Sequence, residues 1–360
     1  MLEIFEKWYR RYFVEEESII LLVLIAASLV LLMTIGDILA PVLAGIVLAY
    51  LAQGLSTRLQ NLGLPQWLGV TVSFLVFMSV FFGVSLYLLP LVWRQLLSLA
   101  GEMPRMLQQA QEFLSVLPER YPELVTQQQL GEVIAAAQSQ AAGFGQKVLT
   151  GTLASIPGLL TVLVYMVLIP MLVFFFLKDR DQILNWLGSF LPTHRPLLRR
   201  IWNEMNMQVA NYARGKALEV IIVGSVSYFS FVWLGLNYAA LLGLLVGLSV
   251  IIPYIGAALV TIPVVIVAFL QWGFTGEFYW VFAVYLIIQA LDGNVLVPLL
   301  FSEAVNLHPV AIILAVLFFG GIWGLWGVFF AIPLATLIKA ILDAWPRTDL
   351  EEEDPEQIPT

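Results

Sequence analysis

The stretch between Lys216 and Lys339 contains no lysine and no arginine, yet it keeps four acidic residues. It is otherwise almost wholly apolar and is interrupted by Gly and Pro. This composition is typical of protein inside a lipid bilayer, where charged side chains are rare and line functional pathways. An Asp at the centre of a membrane helix costs about 2.5–3.5 kcal/mol on insertion scales. Asp292, which lies between runs of Leu, Ile and Val, is therefore the first residue to explain.

The composition of the whole chain excludes several classes of protein. Of its 360 residues, 60% are hydrophobic and 12% are charged, which leaves too little polar surface for a soluble enzyme of this size. A net charge of −8 argues against a nucleic-acid partner. The chain has no cysteine, no Gly-rich phosphate loop and no His-Glu-x-x-His motif, so we expect no enzyme activity, no cofactor and no metal. The partner that this composition requires is the lipid bilayer.

Apolar segments long enough to cross a membrane recur along the chain. A helix needs about 20 apolar residues to cross the hydrocarbon core. Eight segments predict an all-α, polytopic membrane helix bundle: residues 18–35, 38–56, 66–93, 151–177, 216–234, 238–270, 278–301 and 307–342. Gly and Pro inside several of the later segments predict discontinuous or re-entrant helices in the C-terminal half, because such breaks are tolerated where protein or a water-filled cavity satisfies the backbone.

Basic residues in the short connections predict the orientation of the chain. Seven Lys and Arg residues lie between 178 and 216, so this connection should be cytoplasmic. Eight spans then place both termini in the cytoplasm and residues 94–150 outside. The predicted organisation is N-terminal membrane helices at 1–93, an extracytoplasmic amphipathic helical segment at 94–150, membrane helix 4 at 151–177, a basic cytoplasmic amphipathic segment at 178–215, C-terminal membrane helices at 216–343 and an acidic cytoplasmic tail at 344–360.

Three polar residues lie close together on the seventh predicted segment. Gly293 and Asn294, which follow Asp292, disfavour a continued helix, and Gln289 precedes Asp292 by about one turn. A helix broken at this point would offer an acid, an amide and backbone groups to a solute or an ion. We therefore interpret Asp292, Asn294 and Gln289 as substrate- or ion-binding residues. The alternative is that Asp292 caps a short helix at 295–300.

Further breaks are predicted where Gly and Pro interrupt apolar runs. Pro lacks a backbone donor and Gly permits a tight bend. We interpret the following residues as gating positions or helix breaks: Pro253, Tyr254, Gly256, Gly293, Gly324 and Gly327. Close helix packing is the alternative for the glycines at 320–327.

Glu219 lies one helical turn after Lys216 and follows Arg214 closely in the sequence. We expect Glu219 to form a structural ion pair with one of these cations. Glu303 is expected in a solvated loop.

Four separated motifs in the C-terminal half are shared with a known family. They are VIIPYIG at 250–256 with TIP at 261–263, QALDGNVLVP at 289–298, LHP at 307–309 and GLWGVFFAIP at 324–333. In order and spacing they resemble the autoinducer-2 exporter (AI-2E) family of bacterial permeases. The resemblance implies an eight-span protein of the bacterial inner membrane that assembles as a homo-oligomer, with a pentamer expected. It also implies export of the quorum-sensing furanone autoinducer-2 or, as in other members, sodium or lithium/proton antiport.

The residues and the resemblance together predict an inner-membrane permease that exports or exchanges a small, autoinducer-2-like solute with proton or ion coupling. A Na+(Li+)/H+ antiporter is the alternative within transport. A non-transporting membrane scaffold, whose amphipathic segments bind other proteins, is the alternative of another class. The scaffold hypothesis predicts that replacement of Asp292 leaves function intact.

Overall fold

The computed structural model describes residues 16–115, 156–192, 195–301 and 307–344, together with isolated helical positions between 128 and 143. Most of the predicted segment 94–150 after residue 115, Glu303 and the tail after residue 344 lie outside the described residues. Within these ranges the chain forms helices and turns and no β-strand, which confirms the all-α prediction.

The described residues form eleven α-helices. They are α1 Glu16–Asn61, α2 Gln66–Gly83, α3 Leu89–Ser115, α4 Ile156–Lys178, α5 Arg180–Ser189, α6 Pro196–Trp233, α7 Ala239–Ser249, α8 Ile255–Trp272, α9 Gly276–Leu291, α10 Val297–Phe301 and α11 Pro309–Ala344. Two π-helical turns, Val84–Leu88 and Asp292–Leu296, join α2 to α3 and α9 to α10 without a break in the helix.

Eight helical segments of the described chain are long and apolar enough to cross a membrane, as predicted. They are Ile19–Gly36, Ile38–Asn61, Gln66–Met106, Leu160–Lys178, Pro196–Trp233, Ile255–Trp272, Gly276–Phe301 and Pro309–Leu342. The first two are the two parts of α1, which is kinked at Ile35 with a non-helical φ of −129° and ψ of 18°. Helical structure passes through the predicted domain boundaries at 93/94 and 215/216, which lie inside α3 and α6.

The predicted segment 238–270 is two helices and not one. At 1.5 Å per residue, α7 is about 16 Å long, which is too short to cross the hydrocarbon core by itself. α7 ends at Ser249 and α8 begins at Ile255, and the predicted helix break at Pro253 lies between them. Tyr254 has a positive φ of 62°, and a Cβ atom added at Gly256 would overlap the carbonyl oxygen of Ser249. The turn is therefore so tight that only glycine fits at position 256.

A second sharp bend divides α11 at Gly324. This residue has a φ of 58° and a ψ of −136°, a conformation that glycine adopts without a Cβ penalty. A Cβ atom added at Gly327 would overlap the carbonyl oxygen of Phe319, although eight residues of straight helix would separate them by about 12 Å. The rings of Trp323 and Phe330 stack with centroids 6.1 Å apart. The two halves of α11 thus fold back on each other, and the glycines serve both the break and the packing.

Contacts divide the chain into two units. One comprises Met1–Leu43, Asp179–Asn211 and Ala304–Thr360, and the other comprises Ala44–Lys178 and Tyr212–Glu303. The core of the second unit is formed by α6, α7, α8 and α9, where Leu242, Val246, Val264 and Tyr285 are completely buried. The contacts of the candidate site lie within this second unit.

Glycines allow α6 and α7 to touch through their backbones. A Cβ atom added at Gly247 would lie 2.8 Å from the carbonyl oxygen of Val220 and 2.9 Å from Cα of Gly224. Small residues at such crossings are the usual means of close helix packing in membranes. The crossing holds α7 firmly against α6, although α7 is short.

Polar side chains hold the start of α7. The side-chain oxygen of Gln95 in α3 accepts a hydrogen bond from the backbone N–H of Leu241 at 2.8 Å, which satisfies one of the N–H groups left over at a helix N-terminus. Burial, and secondly the neighbouring Glu102, raises the pKa of Tyr238 to about 12. The beginning of α7 is therefore fixed by contacts with α3. Its end is followed by the turn at 250–254, where the helix is interrupted.

We expect Gly256→Ala to lower the free energy of unfolding by about 1–3 kcal/mol, because the added methyl group must displace the backbone of Ser249. Unfolding of the purified protein in detergent, followed by tryptophan fluorescence, measures this loss. Gly276→Ala is the matched control, since a Cβ atom there meets nothing within 4 Å. Equal stability of the two variants would contradict the tight turn.

Candidate functional site

Asp292 begins a π-helical turn instead of a helix break. It has helical φ and ψ angles of −58° and −59°, so it has neither the extended backbone of a helix N-cap nor the position of an interruption. Both predictions, that the helix is broken here and that Asp292 caps a new helix, are wrong. The Gly-Asn pair that disfavours an α-helix is accommodated by a wider turn. Single π turns of this kind occur frequently at functional sites.

Asn294 does not point toward the acid that it follows. Its side chain is exposed, and its amide nitrogen donates a hydrogen bond to the carbonyl oxygen of Ala290 at 2.8 Å. Asn294 thus bonds to the last turn of α9, just before the π turn, a local role that the sequence-based interpretation as a binding residue did not include.

A buried lysine lies at the centre of the polar groups in this unit. Lys216 is 6% exposed, and its ammonium donates to the Oε2 atom of Glu219 at 2.8 Å and to the carbonyl oxygen of Val250 at 2.7 Å. Glu219 is 1% exposed. The prediction that Glu219 pairs with a nearby cation is confirmed, with Lys216 as the partner. Because a buried charge is tolerated only when it is paired and hydrogen-bonded, this pair must be kept intact.

The ammonium of Lys216 also contacts the helix that contains Asp292. Its Nζ atom lies 5.2 Å from the ring centroid of Phe301, the last residue of α10. The ring lies close against the backbone of α6 at Gly215, where an added Cβ atom would come within 2.6 Å of it. Lys216 therefore joins α6, the end of α7 and the end of α10 at one point.

Asp292 is half-buried and interacts electrostatically with this pair. Its carboxylate is attracted by Lys216 and repelled by Glu219. Its Oδ1 atom is buried and has no hydrogen-bond partner in the part of the chain that the structure describes. A buried oxygen without a donor is costly, and each such atom in a native structure requires an explanation.

Gln289 belongs to a second polar group, centred on Tyr285. The Tyr285 side chain is completely buried, and its hydroxyl accepts a hydrogen bond from the Gln289 amide at 3.0 Å. It lies 2.8 Å from the Thr261 hydroxyl and 3.2 Å from the carbonyl oxygen of Ala257. These contacts fix α9 to the first turns of α8, directly after the interrupted turn. Gln289 is thus close to Asp292 in sequence but is engaged with a different partner.

The predicted gating residues fall into separate places. Pro253, Tyr254 and Gly256 form the turn that follows Val250, the residue whose carbonyl receives the Lys216 hydrogen bond. Gly293 lies in the π turn, where a Cβ atom would meet nothing within 4 Å. Gly324 and Gly327 lie in the other unit.

Sequence reasoning missed two members of the site, Lys216 as its centre and Tyr285 as the anchor of Gln289. Lys216 is the last cation before the long apolar stretch, which was a usable signal. A tyrosine in an apolar helix carries no such signal. Among the described residues, no three side chains of the His, Asp and Glu types lie together in a way that could hold a metal ion.

Comparison with known proteins now identifies the family. The model of the AI-2E family transporters matches residues 19–347. The chain belongs to the AI-2E transporter family. It is 49% identical over 353 residues to a protein of Escherichia coli (strain K12) named as the permease PerM, which covers 98% of this chain and 100% of that protein.

More distant relatives carry transport names as well. The transport protein YueF of Bacillus subtilis (strain 168) is 27% identical over 290 residues, which are 79% of this chain and 78% of the relative. The AI-2 transport protein TqsA of Escherichia coli (strain K12) is 30% identical over 135 residues, 38% of this chain and 39% of the relative. Family and helices together establish a multi-pass membrane protein of a transporter family.

We expect Tyr285→Phe to lower the free energy of unfolding by about 1–3 kcal/mol, because it leaves the partly buried amide of Gln289 without its acceptor and removes the contact with the Thr261 hydroxyl. Tyr279→Phe on the same helix is the control, since Tyr279 is exposed. If detergent unfolding gives both variants the stability of the wild type, the Tyr285 group has no structural importance.

Lys216→Met should lower the free energy of unfolding by about 3–5 kcal/mol, since it leaves Glu219 buried without its cation. The double variant Lys216→Met/Glu219→Leu removes both charges and should recover most of this loss. Chemical unfolding of the two variants side by side measures the difference. A double variant as unstable as the single one would show that packing, and not the unpaired charge, causes the loss.

Proposed function

We propose that this protein is a permease that moves a small solute across the membrane and couples this movement to a proton or a monovalent cation bound at Asp292. The observation that supports the proposal most directly is the buried Oδ1 atom of Asp292, which no donor of the described chain satisfies. A proton or a cation supplies the missing contact. An acid inside a membrane-spanning segment is by default a candidate for such a role.

The charges of the site support the same conclusion. If Glu219 and Asp292 are both ionised, they contribute two negative charges, against the one positive charge of Lys216. In a medium of low dielectric constant, an uncompensated charge is strongly disfavoured. One additional positive charge balances the group. The proposal therefore specifies one proton or one monovalent cation for each protomer in each cycle.

The proposed solute is a small molecule of the autoinducer-2 type. Support comes from the family and from the relative whose name describes it as an AI-2 transport protein. We further propose the bacterial inner membrane, cytoplasmic termini and a homo-oligomer, on the basis of the basic connection at 178–216 and the family resemblance. A role in quorum sensing follows if the solute is autoinducer-2.

A Na+(Li+)/H+ antiporter is a second candidate, and one observation favours it. The membrane-spanning segments contain two acids that are buried or half-buried, Glu219 and Asp292, and a site in which one cation replaces one proton needs acids of this kind. A site for an uncharged furanone alone has no need of this pair. The two candidates share Asp292 and differ in the solute that is exchanged.

The decisive experiment measures proton flux into sealed proteoliposomes under an imposed pH gradient, with sodium, lithium or autoinducer-2 offered in turn. We expect one of these solutes to stimulate flux through the wild type. Asp292→Asn should lower the stimulated flux by at least about tenfold, because the amide cannot exchange a proton or compensate a cation.

Glu277→Gln is the matched control, since it removes an exposed acid at the other end of the segment that contains Asp292. Its flux should stay within about twofold of the wild type. Correctly inserted protein that gives no flux with any solute would contradict the proposal and favour a membrane scaffold. Equal flux through the Asp292→Asn variant would exclude Asp292 as the coupling residue.

A further inference from the structure

Arg214 is a partly buried cation on α6 that receives no counter-ion from the described chain. The next acid along this helix, Glu219, is bound by the ammonium of Lys216. The Nε atom of Arg214 is screened from water and has no acceptor among the described residues. A guanidinium keeps its charge at physiological pH, and a buried donor without an acceptor is costly. This side chain therefore lacks a partner that it requires.

Gly54 on α1 makes room for this guanidinium. A Cβ atom added at Gly54 would lie 3.0 Å from Nε and 3.6 Å from Cζ of Arg214. Both residues belong to the second unit, and the segment of α1 that contains Gly54 is long and apolar enough to cross a membrane. Because position 54 has no side chain, a charged group lies directly against the backbone of this apolar helix.

A second arginine lies one helical turn further along the same side of α1. Residues four apart on a helix are neighbours, so Arg58 follows Gly54 on one face. Arg58 is exposed, and neither its side chain nor that of Arg214 forms an ion pair with a described residue. Residues 44–61 of α1 include no Asp or Glu, and the positions of α6 one turn before and after Arg214 are not acidic either. The two helices thus supply two cations here and no anion for them.

We propose that Arg214 and Arg58 bind an oxyanion of the phosphate type where α1 and α6 meet. The planar guanidinium of arginine suits this ligand, and its charge-assisted hydrogen bonds to phosphate are strong. The basic residues predict that Arg58 and the connection at 178–216 lie on the cytoplasmic side, where headgroups of the inner leaflet carry phosphate. A soluble phosphate compound is the other source of the same chemistry. The inference does not rest on the coupling role of Asp292.

Native mass spectrometry of the full-length, delipidated protein in a neutral detergent tests the site. The probes are phosphatidylglycerol, inorganic phosphate and diacylglycerol, which has lipid tails and no phosphate, each titrated at the same ionic strength. We expect Arg214→Gln to weaken the binding of phosphatidylglycerol by at least about tenfold, because it removes a charge-assisted partner. Arg58→Gln should weaken this binding by at least about threefold. The binding of diacylglycerol should be the same in all variants.

The two sources of the oxyanion give different results with these probes. Phosphatidylglycerol that binds when inorganic phosphate does not assigns the site to lipid headgroups. Inorganic phosphate that binds to the wild type, and at least about tenfold more weakly to Arg214→Gln, assigns the site to a soluble phosphate compound.

Arg199→Gln is the matched control, since it removes an exposed arginine of the same helix. Its affinity for each probe should stay within about twofold of the wild type. Equal weakening by Arg199→Gln and Arg214→Gln would show only a general attraction of anions and would overturn the inference. Wild-type affinity in both Arg214→Gln and Arg58→Gln, or no binding of either phosphate probe to the wild type, would overturn it as well. Because Arg58 is exposed, Arg58→Gln tests the site even if Arg214→Gln does not fold.

Discussion

The ammonium of Lys216 is the interaction on which the arrangement of the second unit depends. A buried cation must satisfy its donors, and this one does so with a carboxylate of its own helix, the carbonyl at the end of α7 and an aromatic ring at the end of α10. These partners come from parts of the chain that are far apart in sequence. The short helix α7 and the interrupted turn after it are therefore held by a charge, in addition to the packing against α6.

Two kinds of helix irregularity lie around this charge and have different physical origins. The turn at 250–254 is a true interruption, because the backbones of Ser249 and Gly256 approach so closely that only glycine fits. The π turn at Asp292 leaves the helix continuous and widens it, with Asn294 bonded to the carbonyl of Ala290. The first separates two helices, and the second contains an acid whose buried Oδ1 atom has no hydrogen-bond partner in the described part of the chain.

Much of the fold was predictable because the bilayer constrains it strongly. Hydrocarbon excludes charge and requires satisfied backbone groups, so the number of apolar segments and the all-α class follow from the order of residues. The breaks at Pro253 and Gly324 were also predictable, since Pro and Gly act locally. The site was predictable only in part. The Asp-Gly-Asn triplet indicated a disturbed helix, but the choice between an interruption, a cap and a π turn depends on neighbouring helices that no local rule includes.

The sequence alone determined that the chain is a membrane protein and which of its segments are helical. It also singled out Asp292 as a residue that needs an explanation, and it showed which family the motifs resemble. Tertiary structure decided the partners: Gln289 with Tyr285, Asn294 with the carbonyl of Ala290, and Lys216 with Val250 and Phe301. The physical reason is the range of the forces concerned. The free energy of transfer from water to lipid is a sum over the residues of each segment, so it can be read from the sequence. Hydrogen bonds and buried charges act over a few ångströms, between residues that only packing brings together.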